Sequence, residues 1–471
     1  MVFSSMSFLF FFLPALLAVY FLTPKRLRGA RNFVLLAFSL LFYAYGGPRL
    51  LLIMIASVAI NFVCGLFASP ERTPKIRKLA VIAALALGLG LLGWLKYSAF
   101  LARSINMLGA NLAIPSVLLP IGISFYTFQG LSYVLDVYRG DASRQRNPLR
   151  VALYISFFPQ LVAGPIVRFP EIESRLDINR ESFALFSDGA VRFAFGLAKK
   201  MLLANALGEI ADKLFGATPG AMAVLTAWVG ALAYTGQIYF DFSAYSDMAL
   251  GLGKMFGFHF PENFNYPYIS KSVTEFWRRW HISLSRWFRD YLYIPLGGNR
   301  VNRAKHVRNI MGVWLLTGLW HGAAWNFVAW GAWFGLLLLC EKYIWGKLLD
   351  KAPNAARHAY TMLLVIVSWV IFRADSFAHA FEYIGAMFGS SGALYDGQGV
   401  YYILEYWPEL VIAIIAVLPV KNLLERFLNG RHGMAGALYI WGPRALALVL
   451  IAMSYLKLVT GSFNPFIYFR F

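Results

Sequence analysis

Long apolar runs make up most of this chain, and short basic loops separate them. The first run is 5–22, followed by Lys25, Arg26, Arg28 and Arg31. Next come 32–45, 50–67 and 79–100, with Arg72, Lys75, Arg77 and Lys78 between the last two. A fifth run, 116–137, leads into Arg139, Arg144, Arg146 and Arg150. Runs of this length predict membrane-spanning helices, since about 20 apolar residues cross the hydrocarbon core. The basic loops alternate with nearly uncharged ones, so the positive-inside rule puts them in the cytoplasm and the N-terminus outside. The first run is longer than a signal-peptide core and has no basic residues ahead of it, which predicts an uncleaved span.

Beyond residue 150 the pattern changes. The apolar stretch 151–167 is interrupted by Pro159 and by Gly164-Pro165. Broken segments at membrane depth are tolerated only inside protein or along a cavity. A re-entrant element is expected there, with a kinked span as the alternative. Residues 168–181 carry mixed charge and read as interfacial. Residues 183–215 read as a helix with Lys199 and Lys200 at its middle, so at most part of it crosses. The run 221–240 leads into Asp241, Ser243, Tyr245 and Asp247, and 254–271 reads as a loop. Two apolar halves, 310–319 and 324–340, precede 360–372, 410–420 and 445–459, and 390–400 reads as a surface loop. The expectation is an all-α polytopic membrane protein with about eleven spans plus re-entrant and interfacial amphipathic helices. It reads as one domain, 1–471, with N-terminal spans at 1–150, a catalytic core at 151–345 and C-terminal spans at 346–471.

The stretch 272–325 holds the one histidine pair that reads as chemistry. Val273, Phe276, Trp277, Trp280, Leu284, Trp287, Phe288 and Tyr291 repeat at three and four, which predicts one helix face. Arg278, Arg279, Arg286 and Arg289 occupy the other face. Ser272 followed by Glu275 predicts a capping-box start, and Pro295-Leu-Gly-Gly a stop. Such a helix is expected to lie in the membrane interface with His281 at the edge of its apolar face. His321 lies 13 residues beyond Arg308, roughly 20 Å along a helix. Gly318 and Gly322 flank it at a spacing that lets a neighbouring helix approach closely. An ionisable group at that depth is costly, and its default reading is functional.

Composition sharpens this picture. The 471 residues are 59% hydrophobic and 17% aromatic. The formal charge of +20 resides in short loops between apolar runs, so it sets topology and does not point to nucleic acid. Cys64 and Cys340 both sit in apolar segments and offer neither a disulfide framework nor a metal spacing. No phosphate-cradling glycine loop or nucleophile elbow is present. Asp241 and Asp247 follow a span end and read as helix-pairing or solvated carboxylates. Asp136, Gln129, Tyr126 and Asn326 are polar groups in apolar surroundings. His259, His306, His358, His379 and His432 lie in loops or at span ends and need no chemical role.

Several stretches carry a family resemblance. They are MVFSS at the N-terminus, LPIGISFYTFQGLSYVLDVYRG (119–140), FFPQLVAGPI (157–166), YFDFSAYSDMALGLGKMFGF (239–258), TEFWRRWHISLSRWFRDYLYIPLGGNR (274–300) and GLWHGAAWNFVAWGAW (318–333). In this order they resemble the membrane-bound O-acyltransferase family, and within it the membrane subunits that acetylate alginate and related exopolysaccharides. The resemblance covers most of the chain to about residue 375; the remainder matches only as generic spans. It implies helices around a central tunnel in which a cytoplasmic thioester donor, acetyl-CoA in acetylating members, meets an acceptor hydroxyl. It assigns the essential histidine to His321 and the second motif histidine to His281. As donor contacts we expect Arg278, Arg279, Arg286, Trp277 and Asn326, with anionic lipid as the other use of the arginine face. No permanently bound cofactor is expected. The implied setting is a bacterial inner membrane, with a periplasmic acetyltransferase or acceptor protein of an exopolysaccharide pathway as partner.

An imidazole, ordinarily titrating near ~6.5, is available as a neutral base at neutral pH. Peptidoglycan or teichoic acid is an alternative acceptor. Two other classes compete: a transporter of polysaccharide or lipid-linked sugar, which also uses broken helices, and a scaffold for soluble envelope proteins. Acetyl-CoA turnover separates the enzyme from the transporter, and loss of function on His321 substitution separates it from the scaffold.

Overall fold

A computed structural model describes residues 1–178, 181–428, 434–461 and 463–467; His432 lies outside them. The described residues are helical, without a strand. They divide into two compact units, Met1–Phe193 with Met248–Pro261, and Ala194–Asp247 with Glu262–Phe471.

The first unit opens with α1 (Ser7–Leu22), α2 (Arg28–Ala44), α3 (Pro48–Ala68) and α4 (Pro74–Asn106). Helix α5 (Ile123–Arg139) begins seven residues later than the apolar run from 116 predicts. Pro115 and Pro120 lie in the extended lead-in, where each ring also disfavours helix in the preceding residue, and Gly122 enters the helix with φ 75°. The segment from 151 is broken, as the prolines predict. Helix α6 (Pro148–Ser156) ends at Phe157, α7 is one turn (Phe158–Leu161), and every residue from 153 to 167 is buried. Helix α8 (Phe169–Leu176) follows. Arg168 pairs with the fully buried Asp136 at 2.9 Å, and Arg28 with Glu181 at 2.6 Å. These arginines are thus partly committed to protein carboxylates, beyond their topological role.

Helix α9 (Phe183–Ala198) continues through a π-helical turn, Lys199–Ala204, into α10 (Asn205–Phe215). Helix α11 (Val224–Met255) runs on through both aspartates of its sequence. In the second unit Lys199 pairs with Asp247 at 2.6 Å and Lys200 with the buried Asp241 at 2.7 Å. The two carboxylates therefore pair helices. After a loop come α12 (Val273–Arg279), α13 (Ile282–Phe288), α14 (Arg303–His321) and α15 (Trp325–Cys340). Helices α16 (Asn354–Arg373), α17 (Phe377–Met387), α18 (Gly397–Glu405), α19 (Trp407–Ala416), α20 (Val420–Leu428) and α21 (Met434–Thr460) complete the chain.

Five described stretches are long and apolar enough to cross a membrane: Pro48–Ala68, Pro74–Asn106, Trp325–Lys351, Asn354–Arg373 and Ala435–Thr460. The pair α18–α19, bent by 70°, makes a sixth if taken as one span, and Ser7–Leu22 is a shorter apolar helix. Several other helices in the expected series of about eleven carry buried polar side chains that lower their mean hydropathy. Gln129 and Asp136 do so in α5, Gln237 and Asp241 in α11, and His306 and Asn309 in α14.

Candidate active site

The stretch 272–291 is not the single helix that its periodicity predicts. Two short helices, α12 and α13, are separated at Trp280-His281, and His281 takes a left-handed backbone with φ 44°. Only one other non-glycine described residue, Tyr266, has positive φ. Left-handed backbone costs an L-residue about 1–2 kcal/mol, and such strain persists only where surrounding structure holds it.

The holding structure is the loop before α12. The Asn265 amide donates to the Arg279 carbonyl at 2.9 Å and the Ile282 amide to the Asn263 carbonyl at 3.0 Å, so the loop runs alongside the break. Arg279 also donates from Nη1 to the Asn265 carbonyl at 3.1 Å and pairs with Glu275 at 2.9 Å. The start of α12 has the serine half of the expected capping box, Ser272 Oγ accepting from the Glu275 amide at 3.0 Å, while the Glu275 carboxylate accepts from the Lys271 amide at 2.9 Å. A second cap comes from Glu341, beyond the end of α15. Its carboxylate accepts from the Val273 and Thr274 amides at 2.6 and 2.9 Å and from the Thr274 hydroxyl at 2.7 Å.

The apolar face of this stretch packs on protein: an amphipathic period marks a face to be buried and does not say by what. Trp280 lies against Trp369 at 5.0 Å and Phe264 at 5.1 Å between ring centroids. Trp277 lies against Trp314 at 4.6 Å and Phe334 at 4.9 Å.

His321 arrives differently. It is the last residue of α14, a regular helix of 19 residues, and Gly322–Ala324 turn the chain back into α15. The two helices form an antiparallel hairpin closed by glycines. A Cβ on Gly318 would collide with the Phe327 carbonyl, and one on Gly331 with the Trp314 carbonyl. The close approach predicted from Gly318 and Gly322 is therefore made by α15, with the Phe327 ring against Gly322.

The break and the hairpin tip bring the histidines together. Their ring centroids are 6.4 Å apart at an interplanar angle of 63°, with His281 1% and His321 8% exposed. Aromatic rings surround them: Phe242 at 4.6 Å and Trp320 at 5.9 Å from His281, and Trp320, Trp330 and Phe372 at 5.0, 5.1 and 5.5 Å from His321. His281 Nδ1 lies 3.2 Å from Asn263 Oδ1. Burial, and after it the neighbouring His321 ring, lower the His281 pKa well below its ordinary value, so this imidazole is neutral at neutral pH.

Of the expected donor contacts, Arg278 is exposed and Arg279 and Arg286 are half-buried. Trp277 is a core ring, and Asn326 donates to the Ala374 carbonyl at 3.1 Å. Arg279 also lines a cleft of about 290 Å³ with Asn265, Tyr266, Asn422 and Arg426. Tyr126, Gln129 and Asp136 are fully buried in the first unit. The sequence reading missed Asn263 and Glu341. Their signals are an asparagine amid aromatics in ENFNYPY and a single carboxylate closing an apolar run.

Two buried imidazoles facing each other, on an all-helical multi-pass membrane chain, are the candidate site. The chain belongs to the membrane-bound O-acyltransferase family, whose family model matches residues 141–379. Over its whole length, and over all of the relative, it is 40% identical to a probable alginate O-acetylase of Azotobacter vinelandii. It is 30% identical to a peptidoglycan O-acetyltransferase of Helicobacter pylori, covering all of this chain and 98% of that one. A teichoic acid D-alanyltransferase of Bacillus subtilis is 30% identical over 52% of this chain and 65% of its own. The protein is an acyltransferase.

Proposed function

We propose that this acyltransferase takes an acetyl group from cytoplasmic acetyl-CoA for O-acetylation of an extracytoplasmic polysaccharide of the alginate or acetylated-cellulose type. In this reading it sits in a bacterial inner membrane with its N-terminus periplasmic, and a periplasmic protein is the immediate acceptor. The observation that carries the chemistry is the approach of His281 and His321 from two separate elements. The higher identity to a probable alginate O-acetylase than to the peptidoglycan and teichoic acid relatives favours this acceptor class.

His321 acts as general base. It takes the proton of the acceptor hydroxyl as that oxygen attacks the thioester carbonyl carbon. Collapse of the tetrahedral intermediate breaks the carbon–sulfur bond. The imidazolium then returns its proton to the departing thiolate, leaving an acetyl ester and free CoA. His281 assists as the second imidazole. The cations of Arg278, Arg279 and Arg286 attract the donor's phosphates; Trp277 and Asn326 support the site through packing and the Ala374 contact.

The test is release of free CoA from acetyl-CoA by protein purified in detergent, wild type beside His321→Ala. We expect the variant to lose about 10²–10⁴-fold in rate at an unchanged thermal midpoint. Equal release from both would overturn the role of His321.

A further inference from the structure

Resting on the reading of His281 and His321 as the acyl-transfer pair, the geometry points to Asn263 as the positioning residue that fixes His281 as the Nδ1–H tautomer, so that Nε2 presents a lone pair. His281 is then a proton acceptor or relay, and it does not polarise the thioester carbonyl, a role that needs a hydrogen on Nε2.

The argument uses hydrogen-bond polarity alone. The Ser283 backbone N–H can only donate, and it points at one atom of the Asn263 side chain at 3.2 Å. That atom must be the amide oxygen, which settles which way the amide faces. The Ser283 hydroxyl donates to the same oxygen at 2.9 Å. His281 Nδ1 approaches it at 3.2 Å. An oxygen that already accepts from a backbone amide offers a ring nitrogen only an acceptor, so Nδ1 must carry the hydrogen. In a neutral imidazole the other nitrogen, Nε2, is then bare.

The arrangement is rigid. Asn263 is 1% exposed, and its own carbonyl accepts from the Ile282 amide at 3.0 Å, so its backbone and side chain together grip His281, Ile282 and Ser283. Loop, break and tautomer form one device. Among the described residues the His321 ring, facing His281 at 6.4 Å, is a titratable group that bears on it; Phe242 and Trp320, two further rings against it, carry no charge.

The direct experiment labels the histidines of the full-length protein with ¹⁵N and reads their ring nitrogens by NMR, using His281→Gln to assign the signals. A protonated Nδ1 and a bare Nε2 at position 281 are expected; the opposite pattern overturns the proposal. The functional experiment follows CoA release against pH for wild type, Asn263→Asp and Asn263→Ala. A carboxylate at 263 accepts from the same three donors but holds the ring proton electrostatically. The acidic limb of the rate profile should therefore move up by about 1 pH unit or more, while Asn263→Ala should lose rate at every pH. An unmoved limb in Asn263→Asp, with rate merely reduced, would make Asn263 a structural residue only. His281→Ala and His321→Ala run alongside: wild-type rates there would refute the acyl-transfer pair itself, whereas inactive histidine variants with an unmoved limb in Asn263→Asp would refute only the tautomer assignment.

Discussion

His321 and His281 reach one neighbourhood by opposite means. His321 closes a regular helix, and its place is set by backbones pressed together at Gly318 and Gly331. His281 sits at a break, and its place is set by hydrogen bonds from the 263–265 loop and by the remote cap from Glu341. The first seat is steric and fixes where the ring is. The second is polar and fixes which way the ring faces and which nitrogen holds the proton. A site with one imidazole of each kind separates position from protonation, and substitutions should separate them too.

The steric seat should break most severely. In Gly318→Ala the new methyl meets backbone of α15 that cannot turn aside, so we expect a loss of about 1–3 kcal/mol in chemical unfolding, together with lowered CoA release. If stability is unchanged, the hairpin does not depend on that approach. The polar seat should lose less. Glu341→Ala removes acceptors from two amides of α12, a loss of about 0.5–2 kcal/mol by the same assay, and the rate should fall because the break shifts. A rate unchanged by this substitution would uncouple the cap from His281.

The backbone at 281 gives a finer comparison. His281→Gly and His281→Ala both remove the imidazole, yet glycine accepts φ 44° freely, so it should be the more stable by about 1 kcal/mol. Equal thermal midpoints would show that the break relaxes. The smallest effect is in pH. The folded His281 ring resists a proton that the unfolded ring accepts below about 6.5, so the unfolded state binds more protons there and stability falls as pH drops. This contribution is complete above about 6.5 and declines from there toward the lower folded pKa. Thermal midpoints measured from about pH 7.5 to 5 should fall less in His281→Gly than in wild type.

The steric seat was legible in sequence, because a helical run with glycines four apart around a histidine constrains the backbone locally. The motif histidines were legible for the same reason, lying in contiguous strings. The break at Trp280-His281 was not. Periodicity at three and four passes through it nearly undisturbed, since Val273, Phe276 and Trp277 before the break and Leu284 and Phe288 after it are all buried. No glycine or proline marks it, because the left-handed turn is made by the histidine itself. Asn263 and Glu341 were missed because hydrogen bonds to them span 18 and 68 residues of chain, beyond any local pattern. Asp241 and Asp247 read from position as helix-pairing or solvated carboxylates, and only the structure supplies the partners, Lys200 and Lys199 on a different helix.

The glycine-closed hairpin also bears on the order in which the molecule assembles. Gly318 and Gly331 are near neighbours in the chain, so α14 and α15 can zip together as soon as both have been synthesised, and contacts this local form fast. The seat of His281 adds a contact between Val273 and a carboxylate 68 residues further along the chain, and contacts so far apart in sequence form more slowly. On that ground the hairpin that carries His321 should close before the break that carries His281 is capped.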